Sequence, residues 1–193
     1  MKAPEPGAAR ELEQRAWRWY EQGEHKRAAL AAQQLNRQFP TYAPGWYSTS
    51  QLAMRLNNND VALAAIDRAL ALQPDEPAWL LQRANCLMRA GRVGEARPIV
   101  QALSESRLRT AYQYATLGLL LSRLDMQEQA LPMYRRAVEL EPGRSENHYN
   151  LATVLRFLGR LEECEHSLDR AIELNPRDWE AHGLRAQVRR QTV

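Results

Sequence analysis

Residues 145–178, SENHYNLATVLRFLGRLEECEHSLDRAIELNPRD, hold the unit from which the chain is built, because their pattern of small and large residues recurs at a period of 34. At that interval from Ala152 stand Gly118, Ala84, Ser50 and Ala16 upstream and Ala186 downstream, all of them small. Cys164 is preceded in the same way by Ala130, Ala96, Ala62 and Ala28, and Pro176 by Pro142, Leu108, Pro74 and Pro40. Three independent rows keep one phase. A period of this length marks a stacked-repeat architecture before any local propensity is consulted.

Each 34-residue block contains two stretches with apolar residues at helical spacing, divided by one turn signal and closed by another. In the last full block the spacing predicts a first helix over 146–158, with Tyr149, Leu151, Leu155 and Leu158 as its apolar residues. A second is predicted over 162–174, carrying Cys164, Leu168, Ala171 and Ile172. Between them the turn row reads Gly23, Asn57, Gly91, Asp125 and Gly159, residue types that tolerate positive φ after a helix end. Pro176 closes the block by disfavouring helical backbone at Asn175. Pro98 and Pro132, also 34 apart, predict a late start or a slight kink in their second helices.

The totals fit a soluble folded chain: 193 residues, 45% hydrophobic and 25% charged. The opening MKAPEPGAARELEQ lacks the apolar run of a signal peptide, and no later stretch has the length to span a bilayer, so the expected compartment is the cytoplasm, with no membrane partner. A net charge of +3 with mixed signs gives no argument for nucleic acid. Cys86 and Cys164 lie in blocks that are not neighbours and read as reduced, buried thiols.

These rows resemble the tetratricopeptide repeat family over nearly the whole chain, through Ala152, Gly159, Cys164, Ala171 and Pro176. The resemblance implies an all-α fold, an α-α superhelix or solenoid of antiparallel helix hairpins. Counting in 34s without an insertion gives a disordered N-terminus over 1–8, repeats at 9–42, 43–76, 77–110, 111–144 and 145–178, and a capping helix over 179–193. The third block departs from the pattern: it has Leu108 in place of the closing proline and a polar run over 104–110, and is the expected hinge. The first is worn, with Arg15 where later blocks have Leu117 and Leu151. It is expected to fray, or to be covered by a second copy through exposed Trp17 and Trp19, giving a monomer or a weak homodimer.

Nothing in the sequence forms a catalytic or metal constellation. His25, His148, His166 and His182 have no His or Cys at ligand spacing, and no glycine-rich loop lies between a strand and a helix. The chain is expected to be no enzyme and to need no cofactor. His148 and His182 share a row with Leu12, Trp46, Leu80 and Tyr114 and read as half-buried packing residues.

Curvature in a stack of helix pairs brings first helices together around a groove, and in the family resembled here that groove holds peptides. Carried over residue by residue, it implies a binding face of Tyr47, Gln51, Met54, Arg55, Leu81, Asn85, Met88, Arg89, Leu119, Arg123, Tyr149 and Arg156. Aromatics, methionines and arginines suit an extended peptide with acidic residues. Arg55, Arg89 and Arg123 also fall in last helical turns, where the helix dipole favours a cation regardless of ligand. Both readings stand at this stage. The lysine and asparagine clamp by which chaperone co-factors of the family grip a C-terminal carboxylate is missing, its places being Glu13, Trp17, Ser48, Ala78 and Gln82.

A second resemblance lies in residues 148–192, HYNLATVLRFLGRLEECEHSLDRAIELNPRDWEAHGLRAQVRRQT, which are similar to the last repeats of bacterial proteins whose tetratricopeptide array precedes a sulfotransferase domain. It implies an alternative: a non-catalytic arm, with Arg185, Arg189 and Arg190 on a helix leading to a downstream catalytic part.

The small rows imply close helix approach with no room for a longer side chain. Ala130→Leu and Ala152→Leu are each expected to destabilise the fold by about 1–3 kcal/mol through overpacking, read by thermal unfolding.

Overall fold

The turn row sets where helices end, and its geometry is the same five times over. In a computed structural model that describes residues 6–191, Gly23, Asn57, Gly91, Asp125 and Gly159 all take positive φ, between 57° and 77°. Each lets the chain fold back so that the next residue's N–H reaches a carbonyl five residues earlier. Glu24 donates to Trp19, Asn58 to Ala53, Arg92 to Leu87, Met126 to Leu121 and Arg160 to Leu155, at 2.8–3.0 Å. The carbonyls left open at a helix C-terminus are thereby satisfied, and the second helix of each pair is launched in a repeatable direction.

Eleven helices and no strands result among the described residues, in two compact units. The first, up to Ile99, holds α1 (Pro6–Glu21), α2 (His25–Gln38), α3 (Ala43–Arg55), α4 (Asn59–Leu72), α5 (Pro77–Arg89) and the start of α6 (Val93–Ser104). The second, from Val100, holds the rest of α6, then α7 (Ala111–Arg123), α8 (Gln127–Leu140), α9 (Ser145–Phe157), α10 (Leu161–Leu174) and α11 (Trp179–Gln191). Helices α9 and α10 match the predicted 146–158 and 162–174 to within a residue at each end. Along each unit, consecutive helices pack as neighbours, α1 on α2, α3 on α4, α7 on α8 and α9 on α10.

Two local expectations need correction. Residues 1–5 of the predicted disordered N-terminus lie outside the described residues, but Pro6–Ala8 form the first turn of α1. Proline suits that turn because its missing N–H has no partner there anyway. Three residues in, buried Ala9 packs with Leu35 and Phe39 and ties the turn down. Pro98 and Pro132 likewise do not delay their helices, since α6 and α8 begin at Val93 and Gln127 and run through them. Both prolines are exposed, as are Gly94 and Glu128, so the carbonyls that lose a partner face water.

The small row is the contact line between the helices of a pair. Ala84 and Ala152 are 0% exposed and Ala16 is 4%. Gly118 on α7 shows why nothing larger fits: an added Cβ would lie 2.9 Å from Cε1 of Tyr134 on α8. Tyr134 is itself buried, and that burial raises its pKa against a hydrogen bond to Ser122 that lowers it. A large residue on one helix is matched to an absent side chain on the other. The first pair solves the same problem differently, with Ala16, Ala28, Ala31 and Ala32 in contact and Trp17, Trp19, Tyr20 and Leu56 filling the margin. Trp17 and Trp19 are therefore half-buried rather than exposed. The indole of Trp17 donates to Ser48 Oγ at 2.6 Å, and Arg27 lies 4.9 Å from the Trp19 ring centre.

The irregular stretch before α7 has its own anchors. Leu108, which stands in the proline row, is buried, and Thr110 closes a capping box in which its Oγ1 accepts from Gln113 N–H while Gln113 Oε1 accepts from Thr110 N–H.

Gly118→Ala is expected to cost about 1–3 kcal/mol in thermal unfolding, because the added Cβ would press on the buried Tyr134 ring. In the Tyr134→Leu background, which carries the residue of Leu168 one period on, that cost should shrink by more than half in a double-mutant cycle.

Candidate functional site

In the second unit the first helices carry the free cations, because the arginines of the second helices are held in ion pairs. In the second unit Arg135 pairs with Glu163, Arg136 with Glu139 and Arg170 with Glu173, so every arginine of α8 and α10 is engaged. The first helices are different. Helix α7 contains no acidic residue and α9 only Glu146, which Arg144 approaches at 3.4 Å. Arg123 and Arg156 are exposed, and neither side chain has a hydrogen-bond or ion-pair partner among the described residues. Leu119, one turn before Arg123, and Phe157, next after Arg156, are exposed, as is Tyr112 at the start of α7.

In the first unit the same rows are consumed internally. Arg55 lies 5.4 Å from the Trp17 ring centre and 5.8 Å from that of Tyr20. Arg89 donates to Asn57 Oδ1 at 2.7 Å and to the Met54 carbonyl at 3.3 Å, closing the end of α3. Tyr47 stacks on Trp79 at 5.7 Å and accepts from Gln51 Nε2 at 2.9 Å. Met54, Leu81 and Met88 are buried and belong to the core, which corrects their place in the expected binding face. Their rows turn inward in α3 and α5 because apolar side chains there gain more from burial than from water. Of the twelve residues, Leu119 and Arg123 lie on α7 and Tyr149 and Arg156 on α9 of the second unit, all at least partly accessible, while Gln51, Arg55, Asn85 and Arg89 remain at least partly accessible in the first.

A cleft that sequence reasoning missed opens between α9 and α11. It has a volume of about 340 Å³ and is lined by Tyr149, Arg156, Trp179, Glu180, Gly183 and Leu184, among others. Its only signals in the sequence are Gly183, which stands in the row of Ala115 and Tyr149, and a tryptophan at the head of a helix otherwise read as a cap. Burial, with Glu180 and Asp178 nearby, raises the pKa of Tyr149, so its hydroxyl remains a donor across the neutral range.

Folds of this kind occur in known proteins. The profile of the tetratricopeptide repeat matches residues 47–107 and again residues 128–188. The chain belongs to the tetratricopeptide repeat family. PilW, a type IV pilus biogenesis factor, superposes with a TM-score of 0.78 at 16% identity, over 94% of this chain and 88% of that one. A thermophilic repeat protein of Thermus thermophilus gives 0.71 at 17% identity, over 93% and 98%. YrrB, described as a repeat protein with an unusual peptide-binding site, gives 0.65 at 18% identity, over 87% of each. At these identities the likeness concerns the fold. No curated protein matches the sequence.

The histidine row has a role beyond packing. His148 Nε2 lies 2.8 Å from the Pro142 carbonyl, His182 Nε2 lies 3.1 Å from that of Pro176, and Trp46 Nε1 donates to that of Pro40 at 3.0 Å. In each case a ring nitrogen holds the loop six residues before it. His148 is buried as expected for a packing residue, whereas His182 is exposed. Among the described residues no group of three or more His, Cys, Asp or Glu could hold a metal, and no helix is long and apolar enough to cross a membrane.

Both cysteines are free and buried, and burial raises both thiol pKa values, opposed at Cys86 by a hydrogen bond to Ser50 and at Cys164 by the charge of Arg156. Reaction with iodoacetamide at pH 8 should therefore be slower than for a free thiol by at least about tenfold in the native protein, and rise to the free-thiol rate in denaturant.

Proposed function

We propose that the chain is a protein-interaction scaffold that binds a peptide segment of a partner along the first-helix face of its second unit. The observation that carries this reading is the pair of unengaged arginines, Arg123 and Arg156, on helices with almost no acidic residues. A guanidinium in that setting offers bidentate recognition of a carboxylate, and the exposed apolar side chains beside it offer adaptable contact. An extended acidic segment satisfies both. The fold supports the coarser part of the reading, as repeat proteins of this family bind peptides or partner proteins.

Arg55 and Arg89 have structural partners in the first unit, so the arginine row divides into two kinds. This moves the expected site away from the first unit and toward α7 and α9. We further take residues 9–178 as five repeats and α11 as the cap, with the chain acting without chemistry of its own. The reading as an arm of a sulfotransferase gains nothing from the arginines it would use, since Arg185 pairs with Asp169 at 2.8 Å and Arg189 with Glu165 at 2.5 Å, both on α10.

The test separates the two kinds of arginine. Arg123→Ala with Arg156→Ala should reduce capture of acidic peptides by about tenfold or more without changing thermal unfolding, since each lost charged hydrogen bond contributes about 1.5–3 kcal/mol. Arg55→Ala with Arg89→Ala should lower the unfolding temperature and leave capture within about twofold. The opposite pattern would return the site to the first unit.

A further inference from the structure

Resting on the peptide-binding reading above, we propose that the cleft between α9 and α11 is the subsite that selects the ligand. It takes one bulky apolar side chain of the acidic segment, while a carboxylate next to that residue pairs with Arg156. Helix α11 is then a wall of the site as well as the end of the array.

Gly183 is the first observation. It lies in the middle of α11, where glycine costs about 1 kcal/mol relative to alanine. Neither of the usual reasons for a glycine applies, because its φ is not positive and an added Cβ would meet nothing within 4 Å. What the missing side chain leaves is space, at the row where α9 carries Tyr149. Trp179 is the second. It is 78% exposed at the first position of α11 and borders the same cleft, with Leu184 giving an apolar base. A tryptophan left that exposed is a large apolar surface not covered by the described residues.

The charge around the cleft names the kind of occupant. Arg156 stands at its edge without an ion-pair partner among the described residues, and the neighbouring first helix α7 has Arg123 and no acid, while Glu180 lies on the α11 wall. A carboxylate is favoured on the Arg156 and Arg123 side of the cleft. At about 340 Å³ the cleft is near the lower end of ligand pockets, a size that suits one large side chain. Packed helices lie about 8–10 Å apart and an extended chain advances about 3.3 Å per residue, so carboxylates for Arg123 and Arg156 should be about three residues apart. The apolar residue follows one or two positions beyond the second of them.

The test uses fluorescence anisotropy with labelled peptides carrying two glutamates three positions apart and a phenylalanine after the second, in both chain directions, together with counterparts having glycine for phenylalanine. The intact protein should bind one phenylalanine peptide about tenfold or more tighter than its glycine counterpart, the effect of burying one large apolar side chain. Gly183→Phe, which fills the cleft from an open position, should remove that preference while leaving the circular-dichroism melt unchanged. Arg156→Ala should weaken both peptides. If wild type binds phenylalanine and glycine peptides equally, or if the preference survives Gly183→Phe, the subsite is overturned while the wider peptide-binding reading stands. If no peptide binds in either direction, both fall.

Discussion

The structure depends on the close crossing of two helices at a residue with almost no side chain. Where Gly118 meets the ring of Tyr134, the two helices share one volume that either could have filled, and the chain assigns it to α8. Such crossings fix both the distance and the register of a pair, because a bulky residue can enter the opposing helix only where a small one faces it. The first pair shows the cost of giving up that complementarity. Alanines meet alanines there, and Trp17, Trp19 and Tyr20 are drawn in to cover what the thin interface leaves open. This explains why the first unit has few free aromatic side chains on its first helices.

That consumption of aromatics decides where binding chemistry survives. Arg55 has ring faces from α1 to rest on, and Arg89 has the open end of α3 to close. Arg123 follows in the same row with neither. One letter at one repeat position therefore performs different work according to what the preceding repeat presents to it. Repeat symmetry specifies position only, and the departures from symmetry specify function.

The same distinction separates what is legible in the sequence from what is not. The turn row is legible residue by residue, since positive φ is a local demand that Gly, Asn and Asp meet and other residues resist. Helix bounds follow from it. The prolines mislead, because their effect depends on whether the carbonyl they orphan faces water, and exposure is a property of packing. The proposed binding face is legible only in outline: Leu81, Met54 and Met88 hold the rows expected of a groove, yet all three are buried in the core of the first unit. The loop contact of His148 and His182 is hidden for another reason. Leu80 occupies the same row with no donor, so the pattern in the sequence is one of size, and the hydrogen bond is added where the residue allows it.

Helix α11 brings these threads together. Its Arg189 stands in the row of Leu87, Leu121 and Leu155, each almost wholly buried within the array, and reaches instead to Glu165 on α10. Arg185 and Asp169 repeat, three periods on, the ion pair of Arg83 and Asp67. One side of α11 thus keeps the contacts of a first helix, with Ala181, Leu184 and Val188 buried, while Arg189 makes a second side polar. A third edge borders the cleft with α9. It is on that edge, at Trp179 and Gly183, that α11 departs furthest from the five first helices before it.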